Sequence, residues 1–317
     1  MLILAQIALT SVAAWLFGAV ARFARQPRVI GEIVSGIALG PTLFGALVPH
    51  AYAAVFAPAS LGALRALAEI GVGVFMFTVG MSVDLTLLRN RPYAAVVVSH
   101  VSIAAPFLLG VSMAGALFAR FAPAGTNAVV FALFLGVAMS ITAFPVLARI
   151  LAERGMTQTP VGTLALTCAA VDDVTAWCVL AVVFAVASAG DGVRAGAVAV
   201  AGVAAYAAAA VLIARPLLRR LFVTRDGEDV TASRVGLAVL VALASALATE
   251  ALGVHARFGA FLAGAVLPRS GEVARRVADR LDAAVTTVLL PIFFAFSGVR
   301  ANLGAVGGGT AWNAFLL

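Results

Sequence analysis

Two adjacent carboxylates, Asp172 and Asp173, lie inside a long apolar segment of this 317-residue chain. The segment reads TLALTCAAVDDVTAWCVLAVV, so a membrane-spanning helix would carry the pair near the bilayer centre. A charge at that depth costs about 2.5–3.5 kcal/mol on insertion scales. Successive helix residues point about 100° apart, so one carboxylate can face a cavity while the other faces a neighbouring helix. We therefore expect a proton or cation site here, in preference to an acid pair held by a salt bridge between packed helices.

A second polar interruption occurs in the preceding apolar segment, LFLGVAMSITAFPVLARIL, at Ser140, Thr142 and Pro145. Proline has no backbone N–H and clashes with the carbonyl four residues before it, here Ile141, so carbonyl groups are freed in mid-membrane. Secondary transporters place ion sites at such broken helices. An ordinary proline kink is the alternative, and the acid pair on the next segment favours the ion site.

Membrane-spanning helices must position these residues, because the composition excludes a water-soluble core. Apolar residues make up 63% of the chain and charged residues 11%, whereas soluble domains are nearer one half and one quarter. Apolar runs bounded by Pro, Gly and Arg predict ten spans of roughly 20 residues, the ninth being short. The spans lie at 2–21, 29–48, 61–83, 93–118, 127–150, 161–188, 195–214, 233–252, 256–268 and 284–299. We predict an all-α, polytopic membrane protein in which 1–317 forms one transmembrane domain.

Basic residues give the orientation of these spans. Loops after even-numbered spans carry four arginines, Arg120, Arg194, Arg257 and Arg300, and Arg65 lies near the start of the third span. By the positive-inside rule, the richer odd-numbered loops face the cytoplasm, and the N-terminus lies outside the inner (plasma) membrane. Odd-numbered loops carry the other sixteen: Arg22, Arg25, Arg28, Arg89, Arg91, Arg149, Arg154, Arg215, Arg219, Arg220, Arg225, Arg234, Arg269, Arg275, Arg276 and Arg280.

The residue types that are missing exclude several mechanisms. All 21 basic residues are arginine, so the chain lacks the lysine of a Walker phosphate loop and the lysine of a Schiff-base pigment. The net charge of +7 does not indicate nucleic acid, because the arginines lie in short loops between apolar spans. The two cysteines, Cys168 and Cys178, provide neither a metal cluster nor a disulfide framework. We expect no cofactor.

Six segments, two of which lie within those described above, carry a family resemblance. They are GEIVSGIALGPTLFG at 31–45, FMFTVGMSVDL at 75–85, SITAFPVLARIL at 140–151, AAVDDVTAW at 169–177, RFGAFLAGAVLP at 257–268 and LLPIFFAFSGVRANL at 289–303. In this order they resemble the monovalent cation:proton antiporter family. The matches are to its second branch, which includes potassium-efflux and plant cation/proton exchanger relatives. Six co-linear matches are a strong signal, whereas any one of them alone is weak.

The resemblance implies an inverted-repeat, sodium/proton antiporter-like fold with broken crossing helices and about thirteen helices in each protomer of a homodimer. It implies that 127–188 forms the first half of an ion-binding core and that 195–268 supplies mainly dimerisation and linker helices. An eleventh span begins near Thr310 and is cut off at Leu317. We therefore expect the natural protein to continue, with a second crossing helix and the basic partner of the first acid beyond Leu317.

Site residues follow from the resemblance by position. Asp173 matches the acid that binds the cation or the proton directly. Asp172 matches the variable position before it, where Asp is typical of the electrogenic branch. Thr142 and Ser140 match the broken helix beside the ion.

Two further polar residues in apolar spans are weaker candidates. Glu32 follows Gly31 one turn into the second span, where it either lines the cavity or merely favours the helix N-terminus. His100 lies about eight residues into the fourth span, where it either forms a helix–helix hydrogen bond or tunes the response to pH.

The predicted function is antiport of protons against Na⁺ or K⁺ by alternating access, without covalent chemistry, so we expect no enzyme. The expected partners are these ions, the lipid bilayer and a second copy of the chain, with no resident metal. A cation channel using the same acids, or a glutathione- or nucleotide-gated potassium-efflux system, is the alternative. An intramembrane aspartyl protease is disfavoured, because adjacent aspartates cannot converge on one water. The sequence is compatible with either Na⁺ or K⁺ as the transported cation.

Overall fold

The computed structural model describes residues 1–82, 92–187, 192–222, 232–252, 255–267, 277–281 and 285–303. These residues form helices and their connections, with no strand among them, which confirms the predicted all-α class. The predicted eleventh span, from Thr310, lies outside the described residues.

The described helices are labelled in chain order. The first six are α1 (Leu2–Phe23), α2 (Arg28–Leu39), α3 (Phe44–Leu47), α4 (Pro49–Val55), α5 (Leu61–Ser82) and α6 (Pro92–Phe121). The next four are α7 (Ala128–Ser140), α8 (Phe144–Glu153), α9 (Pro160–Ala187) and α10 (Gly192–Ala209). They are followed by α11 (Arg215–Phe222), α12 (Ala232–Ala251), α13 (Ala256–Val266) and α14 (Leu290–Val299). A 3-10 turn at Pro58–Ser60 precedes α5, and π-helical turns at Ala210–Ala214 and Val285–Leu289 precede α11 and α14.

The fifth predicted span, 127–150, consists of two helices. α7 ends at Ser140, Ile141 has an extended backbone (φ −75°, ψ 117°), and α8 begins at Phe144. Pro145 lies in the first turn of α8, where its missing N–H leaves no helical hydrogen bond unmade. The predicted interruption is therefore confirmed, with the difference that the proline starts the second helix and does not kink a continuous one.

Seven described segments are long and apolar enough to cross a membrane. They are Leu2–Phe23, Arg28–Leu47, Pro49–Ser82, Val97–Phe121, Ala128–Glu153, Ser233–Ala251 and Val277–Val299. The shorter apolar helix Ala256–Val266 matches the predicted short ninth span. Large apolar side chains lie exposed along these helices, for example Leu4, Leu108 and Leu247, as expected of surfaces that face lipid. The count of ten spans stays a prediction.

The chain divides into two compact units. One is formed by Met1–Phe75 together with the described residues from Asp279 onward. Within it α2 and α14 cross so closely that a Cβ on Gly36 would collide with the carbonyl oxygen of Ala295. Its apolar core consists of Phe56, Leu64, Ala68, Ile292, Phe296 and Val299.

The second unit consists of the described residues of Met76–Ala278, so it holds the end of α5 and all of α6–α13. Within it Phe144, at the start of α8, packs edge to face against Phe261 of α13, with ring centroids 5.0 Å apart and an interplanar angle of 76°. Phe144 is only 1% exposed, so the start of α8 is buried within this unit. The acid pair and the broken helix both belong to this unit.

Candidate functional site

The acid-bearing helix α9 packs beside both halves of the broken helix. It contacts α7, α8 and α6 within the second unit, and it also touches α13. The described helices within the predicted core range 127–188 are thus in contact through α9, which carries Asp172 and Asp173. The division of this unit into core and dimerisation helices stays a prediction.

Asp172 faces α6. Its side chain is buried, with 5% of its surface exposed. Its Oδ1 accepts a hydrogen bond from the Ser99 hydroxyl at 2.5 Å, and its Oδ2 accepts one from the Ser102 hydroxyl at 3.0 Å. The two serines are three residues apart and so lie on one face of α6. Two hydroxyl donors satisfy a carboxylate whose burial would otherwise be costly.

Asp173, the next residue of α9, is only half-buried. Its carboxylate interacts electrostatically with Arg257, in the first turn of α13. The Nη2 atom of Arg257 lies 2.6 Å from Nε2 of His255, the residue that precedes α13. Successive residues of a helix point about 100° apart, so Asp173 does not share the direction in which Asp172 meets α6. Asp173 retains accessible surface, which a group that exchanges ions requires.

The break between α7 and α8 places uncharged oxygens in the same unit. The Ser140 hydroxyl lies 2.8 Å from the Gly136 carbonyl oxygen of its own helix and 3.1 Å from the Ile103 carbonyl oxygen of α6. Thr142 lies in the break itself and is exposed. The last carbonyls of a helix lack intrahelical partners and carry partial negative charge. Such carbonyls can replace part of the hydration shell of a monovalent cation.

The two weaker candidates differ in burial. Glu32 is 2% exposed and belongs to the first unit, in α2. His100 follows Ser99 on α6, but its side chain is exposed. The cavity-lining role of Glu32 and the pH-tuning role of His100 stay predictions.

Sequence reasoning missed Ser99 and Ser102, the residues that hold Asp172. The signal that could have found them is a pair of serines three residues apart on one face of the predicted fourth span. Arg257 was noted only as part of a loop and a motif, and its effect on Asp173 was not expected.

Comparisons with known proteins give the family of the chain. The family model described as "Sodium/hydrogen exchanger, transmembrane" matches residues 7–317. The chain is 40% identical over 296 residues to the Na(+)/H(+) antiporter NhaS4 of Synechocystis sp., covering 92% of this chain and 71% of that protein. It is 35% identical over 314 residues to Cation/H(+) antiporter 18 of Arabidopsis thaliana, covering 98% of this chain and 38% of that protein. It is 32% identical over 297 residues to K(+)/H(+) antiporter 1 of Saccharomyces cerevisiae, covering 91% of this chain and 34% of that protein.

Proposed function

The chain belongs to the sodium/hydrogen exchanger family, and we propose that it carries out antiport of protons against Na⁺ or K⁺ across a membrane. Family membership confirms the resemblance carried by the six segments. The chain spans 71% of the Synechocystis relative and less than half of the Arabidopsis and yeast relatives.

One observation carries the proposal: an aspartate pair on α9 lies in the helix group that contains the broken helix α7–α8. An acid in an apolar helix can bind either a proton or a cation. Helix ends and hydroxyls near the break supply the uncharged oxygens that a dehydrated cation needs. No covalent chemistry is required of any residue in this group.

In the proposed cycle, Asp173 is the group for which proton and cation compete. Release of its proton creates the negative charge that attracts Na⁺ or K⁺, and Thr142 with nearby carbonyl oxygens completes the ion's coordination. Alternating access then exposes the loaded carboxylate to the other side. Because proton and cation occupy the same carboxylate in turn, the two fluxes are coupled.

The finer features of the proposal come from the sequence. Asp at position 172 supports electrogenic exchange, with more than one proton exchanged for each cation. The arginine distribution supports an inner-membrane protein whose N-terminus lies outside. A homodimer is the expected assembly, and the protein is proposed to be a transporter with no enzymatic activity. No observation favours a channel.

The test is cation-driven proton movement in proteoliposomes that contain the full protein. Wild-type protein should release internal protons when Na⁺ or K⁺ is added, and Asp173→Asn should abolish this response because Asn cannot exchange a proton. Asp279→Asn is the matched control, since Asp279 is an exposed acid outside the second unit. It should exchange like the wild type.

Two outcomes would contradict the proposal. Unchanged exchange by Asp173→Asn would exclude this carboxylate as the binding group. Proton flux that follows the membrane potential and ignores added Na⁺ or K⁺ would instead indicate a channel. Adding each cation in turn also determines which one the protein transports.

A further inference from the structure

One turn of α6 contacts both parts of the candidate site. Ser99 and Ser102 each donate a hydrogen bond to a separate oxygen of Asp172 on α9. The carbonyl oxygen of Ile103, the next residue, lies 3.1 Å from the hydroxyl of Ser140 at the end of α7. This turn, Ser99–Ile103, therefore joins the acid-bearing helix to the break in the neighbouring helix.

The two serines differ in burial, since Ser99 is buried and Ser102 is exposed, and in their distance from the carboxylate. The Ser102 hydroxyl lies 3.0 Å from Asp172 Oδ2 and 2.7 Å from the Ser99 carbonyl oxygen. A hydroxyl has a single proton, so Ser102 can donate to one of these acceptors at a time. Ser99 is 1% exposed and donates to Asp172 Oδ1 at 2.5 Å. Ser99 thus contributes more than Ser102 to holding the Asp172 carboxylate in place.

The direction of the Asp172 carboxylate matters because Asp173 is its immediate neighbour. A hydrogen bond to each oxygen fixes both the position of the carboxylate and the plane in which it lies. The fixed carboxylate points toward α6, whereas the Asp173 side chain leaves the helix about 100° away from it and is half-buried. Functional groups depend on such supporting hydrogen bonds to hold their geometry within a fraction of an ångström.

We infer that Ser99 and Ser102 are positioning residues for the exchange reaction: they hold the Asp172 carboxylate against α6, so that Asp173 alone presents its carboxylate to the transported ion. The inference rests on the proposed antiport and adds to it a pair of residues on a different helix. Ser99 carries the larger part of the effect, because its hydroxyl is buried and lies closer to the carboxylate than that of the exposed Ser102.

Replacement of both serines, Ser99→Ala with Ser102→Ala, tests the inference in proteoliposomes of the full protein. The maximal rate of cation-driven proton release should fall about tenfold, the effect expected of hydrogen bonds to a charged group. The cation concentration for half-maximal rate should change less than about twofold, because Asp173 and Thr142 are left intact. Ser99→Ala alone should lower the rate more than Ser102→Ala alone.

Two controls separate positioning from general damage to α6. Ser112→Ala removes an exposed hydroxyl of the same helix. That hydroxyl donates a hydrogen bond to the Leu109 carbonyl oxygen, one turn earlier in α6, at 2.7 Å, and its loss should leave the rate unchanged. Ser99→Thr keeps the hydroxyl and should restore most of the rate. A double alanine variant that exchanges as fast as Ser112→Ala would overturn the inference.

A double-mutant cycle with Asp172→Asn shows whether the serines act through this carboxylate. Without the charge, removing the serines should lower the rate several-fold less than in the wild type. An equal loss in both backgrounds would show that the serines act through helix packing, which also overturns the inference. A wild-type protein without cation-coupled exchange would instead overturn the proposed function. The same cycle measured by thermal unfolding would then still report whether the serines and Asp172 interact.

Discussion

Gly110 of α6 lies against Gly136 of α7, so closely that a Cβ on Gly110 would come within 2.8 Å of the Gly136 Cα atom. The Leu135 carbonyl oxygen would lie 2.9 Å from the same Cβ. Helices in lipid associate largely through close packing of small residues of this kind. The crossing lies one turn before Ser140, so it brings the Ser99–Ile103 turn of α6 beside the break.

This crossing predicts a clear difference between two glycines of one helix. Gly110→Val should lower the free energy of unfolding by ~1–3 kcal/mol, because the added methyl groups force the two backbones apart. Gly115→Val is the matched control, since a Cβ there meets nothing within 4 Å. Thermal unfolding of both variants in the same detergent measures the effect. Equal unfolding temperatures would show that α6 and α7 do not touch at Gly110.

Asp172→Asn addresses the number of charges moved in each cycle. The variant keeps Asp173, so cation-driven proton release should continue, but one acid fewer can carry a proton. We expect exchange to lose its dependence on the membrane potential. Proteoliposomes with an imposed K⁺-diffusion potential measure this, with Na⁺ as the transported cation. Retained voltage dependence would contradict the electrogenic role of Asp172.

Thr142→Val tests the hydroxyl in the break. Valine preserves the shape of threonine and removes one oxygen from the proposed coordination of the cation. The cation concentration for half-maximal exchange should rise about tenfold, the effect of losing one hydrogen-bond-strength contact. Thr167→Val serves as the control, because the Thr167 hydroxyl donates to the Thr163 carbonyl oxygen of its own helix. An unchanged concentration dependence in Thr142→Val would exclude the hydroxyl as a ligand.

Local features of the site could be predicted from the sequence because they depend on neighbouring residues. Pro145 with Ser140 and Thr142 indicated an interruption, and the structure breaks the helix at Ile141. The adjacent positions of Asp172 and Asp173 indicated that the carboxylates point apart, since that follows from helix geometry alone.

Contacts between distant helices could not be predicted in the same way. Ser99 and Asp172 are 73 residues apart, and their hydrogen bond exists only because α6 and α9 pack side by side. The hydropathy pattern that locates a span does not say which face of it meets which neighbour. For the same reason the sequence pattern singles out His100 and not its neighbour Ser99, although the structure buries Ser99 and leaves His100 exposed.

Chemical labelling of two introduced cysteines tests the predicted orientation. Arg120, at the end of α6, and Arg154, directly after α8, are both exposed and lie on either side of the broken segment Ala128–Glu153. That segment has 26 residues and a mean hydropathy high enough for one crossing, so the two positions should lie on opposite sides of the membrane.

With Cys168 and Cys178 replaced by alanine, Arg120→Cys should react with an impermeant maleimide from outside intact cells. Arg154→Cys should react only after the membrane is opened, because the arginine-rich loops are predicted to be cytoplasmic. The reverse pattern would place the N-terminus inside. Labelling of both introduced cysteines from the same side would be the more serious contradiction. It would mean that α7 and α8 together do not cross the membrane. The break between these two helices could not then lie at the centre of the membrane.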